Sequence, residues 1–205
     1  MSAVISCGLC EDFVMSKFTV IFSGVIAIVV AIIGLIILLP KAAAPENKQI
    51  PPSANFSTTM KITSPNFEQN TVIPKKFTCE GGNGNPELTI EGVPENTKSL
   101  ALIMDDPDAP NGTFIHWLLW NIDPKPSPIK EGAPPEKALE GKNSNGKIGY
   151  IGPCPPPGKP HRYFFKLYAL DAVLDVPAGS SKDALEAEIN KHLLAKTELI
   201  GMYQR

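Results

Sequence analysis

Residues 99–122 read S-L-A-L-I-M-D-D-P-D-A-P-N-G-T-F-I-H-W-L-L-W-N-I, and the fold class turns on them. The two ends, Ser99–Met104 and Phe114–Ile122, are short runs of branched and aromatic apolar residues, the composition of strands. Between them Asp105–Thr113 is turn chemistry: two prolines fix φ, and the Asp, Asn and Gly residues accept tight backbone bends. The stretch therefore predicts two neighbouring strands of one sheet. A third interior strand is expected over His161–Leu170 and a final one over Thr197–Tyr203. Many short strands separated by Pro and Gly turns predict an all-β dominated domain, a β-sandwich in which each sheet buries its apolar face against a second layer.

One helical segment interrupts this pattern near the end of the chain. Ser180 and Asp183 have the spacing of a reciprocal cap, and Leu185, Ile189 and Leu193 recur every four residues as a core-facing stripe. His192, next to that stripe, is read as a partly exposed helix position. There is no internal repeat and no heptad series.

Upstream, Phe18–Leu39 is an uncharged apolar run of helix length, long enough to cross a bilayer. It divides the chain into a short tail (1–17), a transmembrane helix or long signal segment (18–39), a Pro-rich tether (40–57) and a folded domain (58–205). Lys17 precedes the span while Lys41 and Lys48 follow it, so flanking charge does not by itself favour a cytoplasmic amino terminus. The short tail is the easier side to retain, and the reading expects an extracytoplasmic domain. It would be held by a single membrane pass or, if Ala42–Ala44 is a cleavage site, secreted. Met15-Ser16-Lys17 also looks like a natural start, and Cys7 and Cys10 form a C-x-x-C without the strand and helix that redox work needs. The formal charge of the whole chain is −2, and neither charge nor pattern offers a surface for nucleic acid.

The candidate chemistry lies in two histidines on strands. His116 stands in F-I-H-W, and His161 opens H-R-Y after a Pro-rich loop. Imidazoles at the mouth of a cleft suit an anionic oxygen group. Tyr163 shares the facing of His161, two residues along a strand. Asp106 and Asp108 flank Pro107, where carboxylates orient imidazoles or cap backbone N–H groups. Other motifs lack their context. Gly141–Lys147 opens like a phosphate loop, but Ile148 replaces the metal-binding hydroxyl and no helix pattern follows. No G-x-S-x-G elbow is present, and no serine is visibly paired with either histidine. Sequons stand at Asn55 and Asn111.

The blocks D-D-P-D-A-P (105–110), F-I-H-W (114–117) and G-P-C-P-P-P-G-K-P-H-R-Y-F-F (152–165) resemble the signature blocks of the phosphatidylethanolamine-binding protein family. The likeness is to its bacterial and archaeal YbhB/YbcL-like, or Raf kinase inhibitor-like, branch. F-T-C-E-G-G-N-G-N-P-E-L (77–88) and G-V-P-E-N-T-K-S-L-A-L (92–102) extend it over nearly the whole domain. The resemblance implies an antiparallel β-sandwich with a C-terminal helix and a small surface pocket for phosphate-like anions, phospholipid head groups among them. Position by position, it implies Asp106, His116, His161 and Tyr163 as ligand-binding residues. Asp108 would support the loop, while Phe114, Pro155 and Pro156 would form wall and rim. Phe114 stands where eukaryotic relatives often have Trp, so the wall keeps an aromatic face without an indole donor.

Cys79 and Cys154 sit in loops of the matched blocks, either as a disulfide in an oxidising compartment or as two adjacent thiols. A zinc site from Cys154, His116 and His161 lacks close spacing and a fourth ligand, so no metal and no cofactor are expected. The leading expectation is non-catalytic binding of a phosphorylated small molecule or lipid head group, with a regulatory role. The alternatives are inhibition of a protease or kinase through protein contacts, and an envelope hydrolase with a histidine base and an Asp orienter.

Overall fold

The computed structural model describes residues 60–125 and 127–205. The Phe18–Leu39 span, the tail, the tether, Cys7, Cys10 and the Asn55 sequon lie outside them. Among the described residues no helix is long and apolar enough to cross a membrane.

Among the described residues eight strands and one helix follow one another as β1 (Lys61–Thr63), β2 (Thr71–Val72), β3 (Thr89–Glu91), β4 (Ser99–Asp106), β5 (Phe114–Ile122), β6 (Leu139–Glu140), β7 (His161–Leu170), α1 (Lys182–His192) and β8 (Leu193–Tyr203), with a short 3-10 turn at Lys75–Phe77. Six strands form one sheet in the order β2-β8-β7-β4-β5-β6, and β1 pairs with β3 in a second, two-stranded sheet. The sequence reading expected a sandwich of antiparallel sheets. The architecture is sheet-dominated but unequal, and the β2–β8 pair is parallel, because β2 returns along the outer edge of the last strand.

Strands β4 and β5 are buried on both faces, which explains their near-continuous apolar sequences, whereas β7 buries one face and leaves Arg162, Phe164, Lys166 and Tyr168 exposed or half-buried on the other. Leu100, Leu102 and Met104 of β4 join Trp117 and Leu119 of β5 and Tyr163, Phe165 and Leu167 of β7 in one layer, closed by Ile62 and Ile90 of the small sheet. Ala101, Ile103, Leu118, Trp120 and Leu170 point the other way and are covered by Leu174, Val176 and the Leu185 and Ile189 stripe of α1. Trp120 Nε1–H donates to the Val176 carbonyl (3.0 Å), so the buried indole is satisfied.

Two details of the helix differ from the sequence reading. Ser181, not Ser180, is the N-cap, with its Oγ accepting from the Ala184 N–H; Ser180 Oγ donates instead to the Pro177 carbonyl (2.7 Å). Leu193 already belongs to β8, so the stripe ends at Ile189 and the final strand begins four residues earlier than its composition suggested. His192 closes the helix, its Nδ1–H donating to Asp171 (2.9 Å) at the surface.

The pairing of β4 with β5 slips twice. Leu100 faces Ile122 while Leu102 faces Leu119, and Met104 faces Trp117 while Asp105 faces Ile115. Each slip leaves one extra residue on β5. The first falls beside Asn121, in the left-handed region at φ 57°; the second leaves His116 without a partner. Such bulges re-aim a side chain. Here the bulge turns His116 toward the layer of Trp117 instead of the layer of Ile115 and Leu118, as strict alternation would have required.

Leu102, fully buried at the centre of the first layer, sets a stability test. Leu102→Ala is expected to cost about 2–5 kcal/mol by lost burial plus cavity. Val173→Ala, at an exposed position, should stay within about 0.5 kcal/mol. Urea unfolding of the two variants measures both.

Candidate functional site

The layer that holds Met104, Trp117 and Tyr163 ends where β4 stops and β5 and β7 begin. One step further along β4, on the same face as Met104, stands Asp106; one step before Tyr163 on that face of β7 stands His161. The β5 bulge adds His116. All four converge on a cavity of about 250 Å³ that they line with Phe114, Pro155 and Pro156. Asp105, the neighbour of Asp106 in sequence, points to the opposite layer and meets Lys166 Nζ (2.7 Å).

Each polar group at the cavity has its polarity fixed by its partner. His161 Nδ1 lies 2.8 Å from Asp106 Oδ2; a carboxylate only accepts, so Nδ1–H donates. His116 Nδ1 lies 2.7 Å from the Ile151 carbonyl, which again makes Nδ1 the protonated nitrogen. In both rings Nε2 is left as the nitrogen facing the cavity chemistry. Burial holds the His116 pKa below its ordinary value, against the raising effects of the Ile151 carbonyl and Asp106, so this ring is neutral near pH 7. It is held between Phe114, with ring centres 4.8 Å apart, and the edge of Tyr163 at 5.2 Å.

Tyr163 is the anomaly of the site. Its side chain is fully buried, and its hydroxyl has no hydrogen-bond partner. Burial first, then the Asp106 carboxylate through its charge and a hydrogen-bonding approach that falls short of a normally formed bond, raises its pKa far above the ordinary phenol value, so the phenol keeps its proton. A buried polar group without a partner costs about 1–3 kcal/mol. On the wall of the cavity, such a hydroxyl is a donor that an acceptor entering the cavity would satisfy.

Asp106 has both oxygens engaged, since Oδ1 accepts from the Asp108 N–H (2.8 Å). Asp108 itself does not line the cavity. It grips Arg162 through two side-chain bonds (2.9 and 2.8 Å) and accepts the Arg162 N–H (3.0 Å). It thereby ties the D-P-D turn to the start of β7.

The loop 143–156 supplies lining residues that sequence reasoning missed, Asn145, Ile151 and Gly152, together with Cys154, which it had named for a disulfide or a zinc site. Asn143 shapes this loop, its Oδ1 accepting from the Asn145 N–H (3.0 Å) and its amide donating to the Gly149 carbonyl (3.0 Å). No phosphate loop is formed, since no helix follows. Gly152 carried a readable signal, being a glycine before a Pro-rich run. A Cβ there would stand 2.3 Å from the Phe77 carbonyl oxygen, so only glycine lets the 77–83 and 151–156 segments touch. Gly152 N–H donates to Asn83 Oδ1 (2.8 Å), and Tyr150 OH donates to the Phe77 carbonyl (2.8 Å). A disulfide joins Cys79 and Cys154, with Cα atoms 5.4 Å apart. Cys154 is therefore no thiolate, and the zinc alternative loses a ligand. Among the described residues no cluster of His, Cys, Asp and Glu has the arrangement to hold a metal ion.

Comparison with known proteins gives concordant matches. The family model for phosphatidylethanolamine-binding protein matches residues 63–204. A UPF0098 protein of Pyrococcus horikoshii is 47% identical over 155 residues, covering 72% of this chain and 77% of that one. A UPF0098 protein of Methanothermobacter thermautotrophicus is 44% identical over 151 residues, covering 71% and 99%. Among solved structures, the phosphatidylethanolamine-binding protein homolog CT736 of Chlamydia trachomatis has a TM-score of 0.69 at 42% identity, covering 73% of this chain and 99% of its own. Escherichia coli YbcL, described as a member of the mammalian PEBP family, has a TM-score of 0.67 at 34% identity, covering 71% and 98%.

The Asp108–Arg162 clamp generates a pH test. The Arg162 hydrogen bonds hold the Asp108 carboxyl down at about 2, below an unfolded value of about 3.9. A depressed folded pKa stabilises the fold above the unfolded value, and the contribution is lost as pH falls through the folded one. Asp108→Asn should therefore be less stable than the natural chain at neutral pH. Urea midpoints should converge as pH falls from roughly 4 to 2; a gap that persists undiminished at acid pH would remove the clamp from the stability of this turn.

Proposed function

We propose, from the premise that the chain belongs to the phosphatidylethanolamine-binding protein family, that its cavity binds the phosphate-like group of a small molecule or lipid head group without doing chemistry on it. The observation that carries this reading is the Tyr163 hydroxyl, a protonated donor, fully buried and unpartnered, on the wall shared by His116, His161 and Asp106. An anionic oxygen entering the cavity accepts from Tyr163 and meets the two Nε2 atoms. A neutral Nε2 accepts from a ligand P–OH, whereas a protonated one donates to a ligand oxygen. Phe114 and the prolines supply the apolar rim against which the rest of a small ligand rests.

The absence of catalysis in this proposal rests on the lining. It contains no Ser, Thr or Lys, and its one sulfur is locked in the disulfide. A histidine base would have only water to activate. We place the domain on the extracytoplasmic side of a membrane, through Phe18–Leu39, as the sequence suggests. The Cys79–Cys154 bond supports an oxidising compartment, and a tether to the bilayer would raise the local concentration of the pocket near lipid head groups.

Two measurements on the full chain in mild detergent test the pocket. Tyr163→Phe should leave stability unchanged or raise it by about 1 kcal/mol, because an unpaired buried hydroxyl is removed, while phosphoethanolamine affinity falls roughly tenfold, the loss of a hydrogen bond to a charged group. His161→Ala should weaken binding at least as much; an unchanged dissociation constant in both variants would place the ligand elsewhere. The second measurement uses sulfate, whose charge is constant over the working range. A bound anion raises the His116 pKa from its depressed value, so protons are taken up on binding and affinity should rise as pH falls from roughly 8 to 5.5. Calorimetry showing pH-independent sulfate affinity would exclude the imidazoles from the contact.

A further inference from the structure

The rim of the cavity carries a second kind of chemistry. Cys154 lines the pocket, and both it and Cys79 are exposed, so their disulfide stands in water at the mouth of the site instead of in the core. Arg205 lies against it, with Nη1 3.2 Å from Cys154 Sγ and 4.0 Å from Cys79 Sγ. The two sulfurs are therefore unequal: the guanidinium stands closer to Cys154 and favours negative charge there more than at Cys79. In thiol–disulfide exchange the better leaving sulfur is the one that forms the more stable thiolate, and neighbouring cations stabilise thiolates.

We propose that Cys79–Cys154 is a thiol-exchange site, with Cys79 the sulfur attacked and Cys154 the sulfur released, and that its redox state sets the affinity of the cavity for anions. The coupling rests on the anion-pocket reading above; the exchange does not. The co-reactant is a dithiol, either a small molecule or an oxidoreductase of the dithiol class. One of its thiolates attacks Cys79 Sγ. The protein S–S bond breaks, its electron pair leaves on Cys154, and a mixed disulfide forms between Cys79 and the reductant. The second thiolate of the reductant then closes on its own partner sulfur and releases Cys79. The dithiol becomes a disulfide and the protein gains two electrons. Of the two dithiol protons one goes to Cys79 and the other to solvent, leaving Cys154 a thiolate beside Arg205.

Three other contacts keep the two segments together when the bond opens. Cys79 N–H donates to the Pro153 carbonyl (3.1 Å), and the Gly152–Asn83 and Tyr150–Phe77 hydrogen bonds span the same gap. Reduction therefore changes the charge of the wall more than its shape. A neutral sulfur becomes an anion facing an incoming anion, and binding weakens. By linkage, a bound anion makes the disulfide harder to reduce by the same factor.

The experiment uses the full chain in mild detergent, with sulfate as the anion and dithiothreitol as the dithiol. Sulfate should bind the oxidised chain, bind the fully reduced chain at least fivefold more weakly, and recover on reoxidation. Arg205→Gln should slow reduction by dithiothreitol about tenfold at fixed pH. An oxidised chain that binds no sulfate would sink the pocket reading and the coupling with it, while the Arg205→Gln rate still decides the exchange. An unchanged sulfate affinity, with Cys79 and Cys154 both shown to be alkylated by peptide mass among the four cysteines of the chain, would overturn the coupling alone. Loss of the near-ultraviolet circular dichroism on reduction would overturn it too, since the bond would then be holding the fold. A natural rate in Arg205→Gln would overturn the assignment of the leaving sulfur.

Discussion

Strand β4 has an apolar layer on each face, so every side chain along it must belong to one layer or the other. A charged group placed mid-strand there would be desolvated without relief, at a cost of several kcal/mol. On β4 polar chemistry is thereby confined to the end of the strand, whereas β7 turns Arg162 and Lys166 to its more open face. Asp105 and Asp106 stand at the last two positions of β4, and His161 at the first of β7. Each end residue finds a partner across the sheet: Asp105 takes Lys166 on one face and Asp106 takes His161 on the other. The site is a consequence of where a doubly covered strand runs out of core.

Part of this arrangement could be read in advance. The bounds of β5 and β7 were legible, because both are rich in aromatic and branched residues and are flanked by turn residues. The shared facing of His161 and Tyr163 followed from simple alternation. The position of His116 did not. Its facing depends on the bulge that leaves it opposite no residue of β4, and periodicity alone would have assigned it with Leu118 to the helix side. Resemblance of the F-I-H-W block pointed to it where pattern could not. The helix cap slipped by one residue for a similar reason: two serines stand side by side, and only the local path of the chain selects Ser181 over Ser180.

The loops were the least legible. Residues 143–156 contribute almost half of the cavity wall, yet eight of the fourteen are Asn, Gly or Pro, which marks turns without saying where they go. Their course is fixed by long-range contacts: Gly152 against the Phe77 carbonyl, Asn83 against Gly152, and the sulfur bridge from Cys79. None of these has a local signature. The parallel edge pair of β2 with β8 was missed on the same grounds, since two residues carry no period.

The polar groups of the cavity also constrain one another through their protons. Asp106 has given both oxygens to neighbours, so its charge is answered within the protein. Both histidines have committed Nδ1–H, which leaves lone pairs at Nε2 whenever the rings are neutral. Tyr163 and the side-chain amide of Asn145 offer permanent hydrogens. With the Asp106 charge beside two neutral imidazoles, the cavity is weakly suited to a fully ionised oxyanion. It becomes attractive to one only when a proton arrives too, on the ligand or on an imidazole. The burial that keeps His116 neutral in the empty site is thus what makes proton uptake part of binding, and the buried hydroxyl of Tyr163 fixes where the first anionic oxygen must sit.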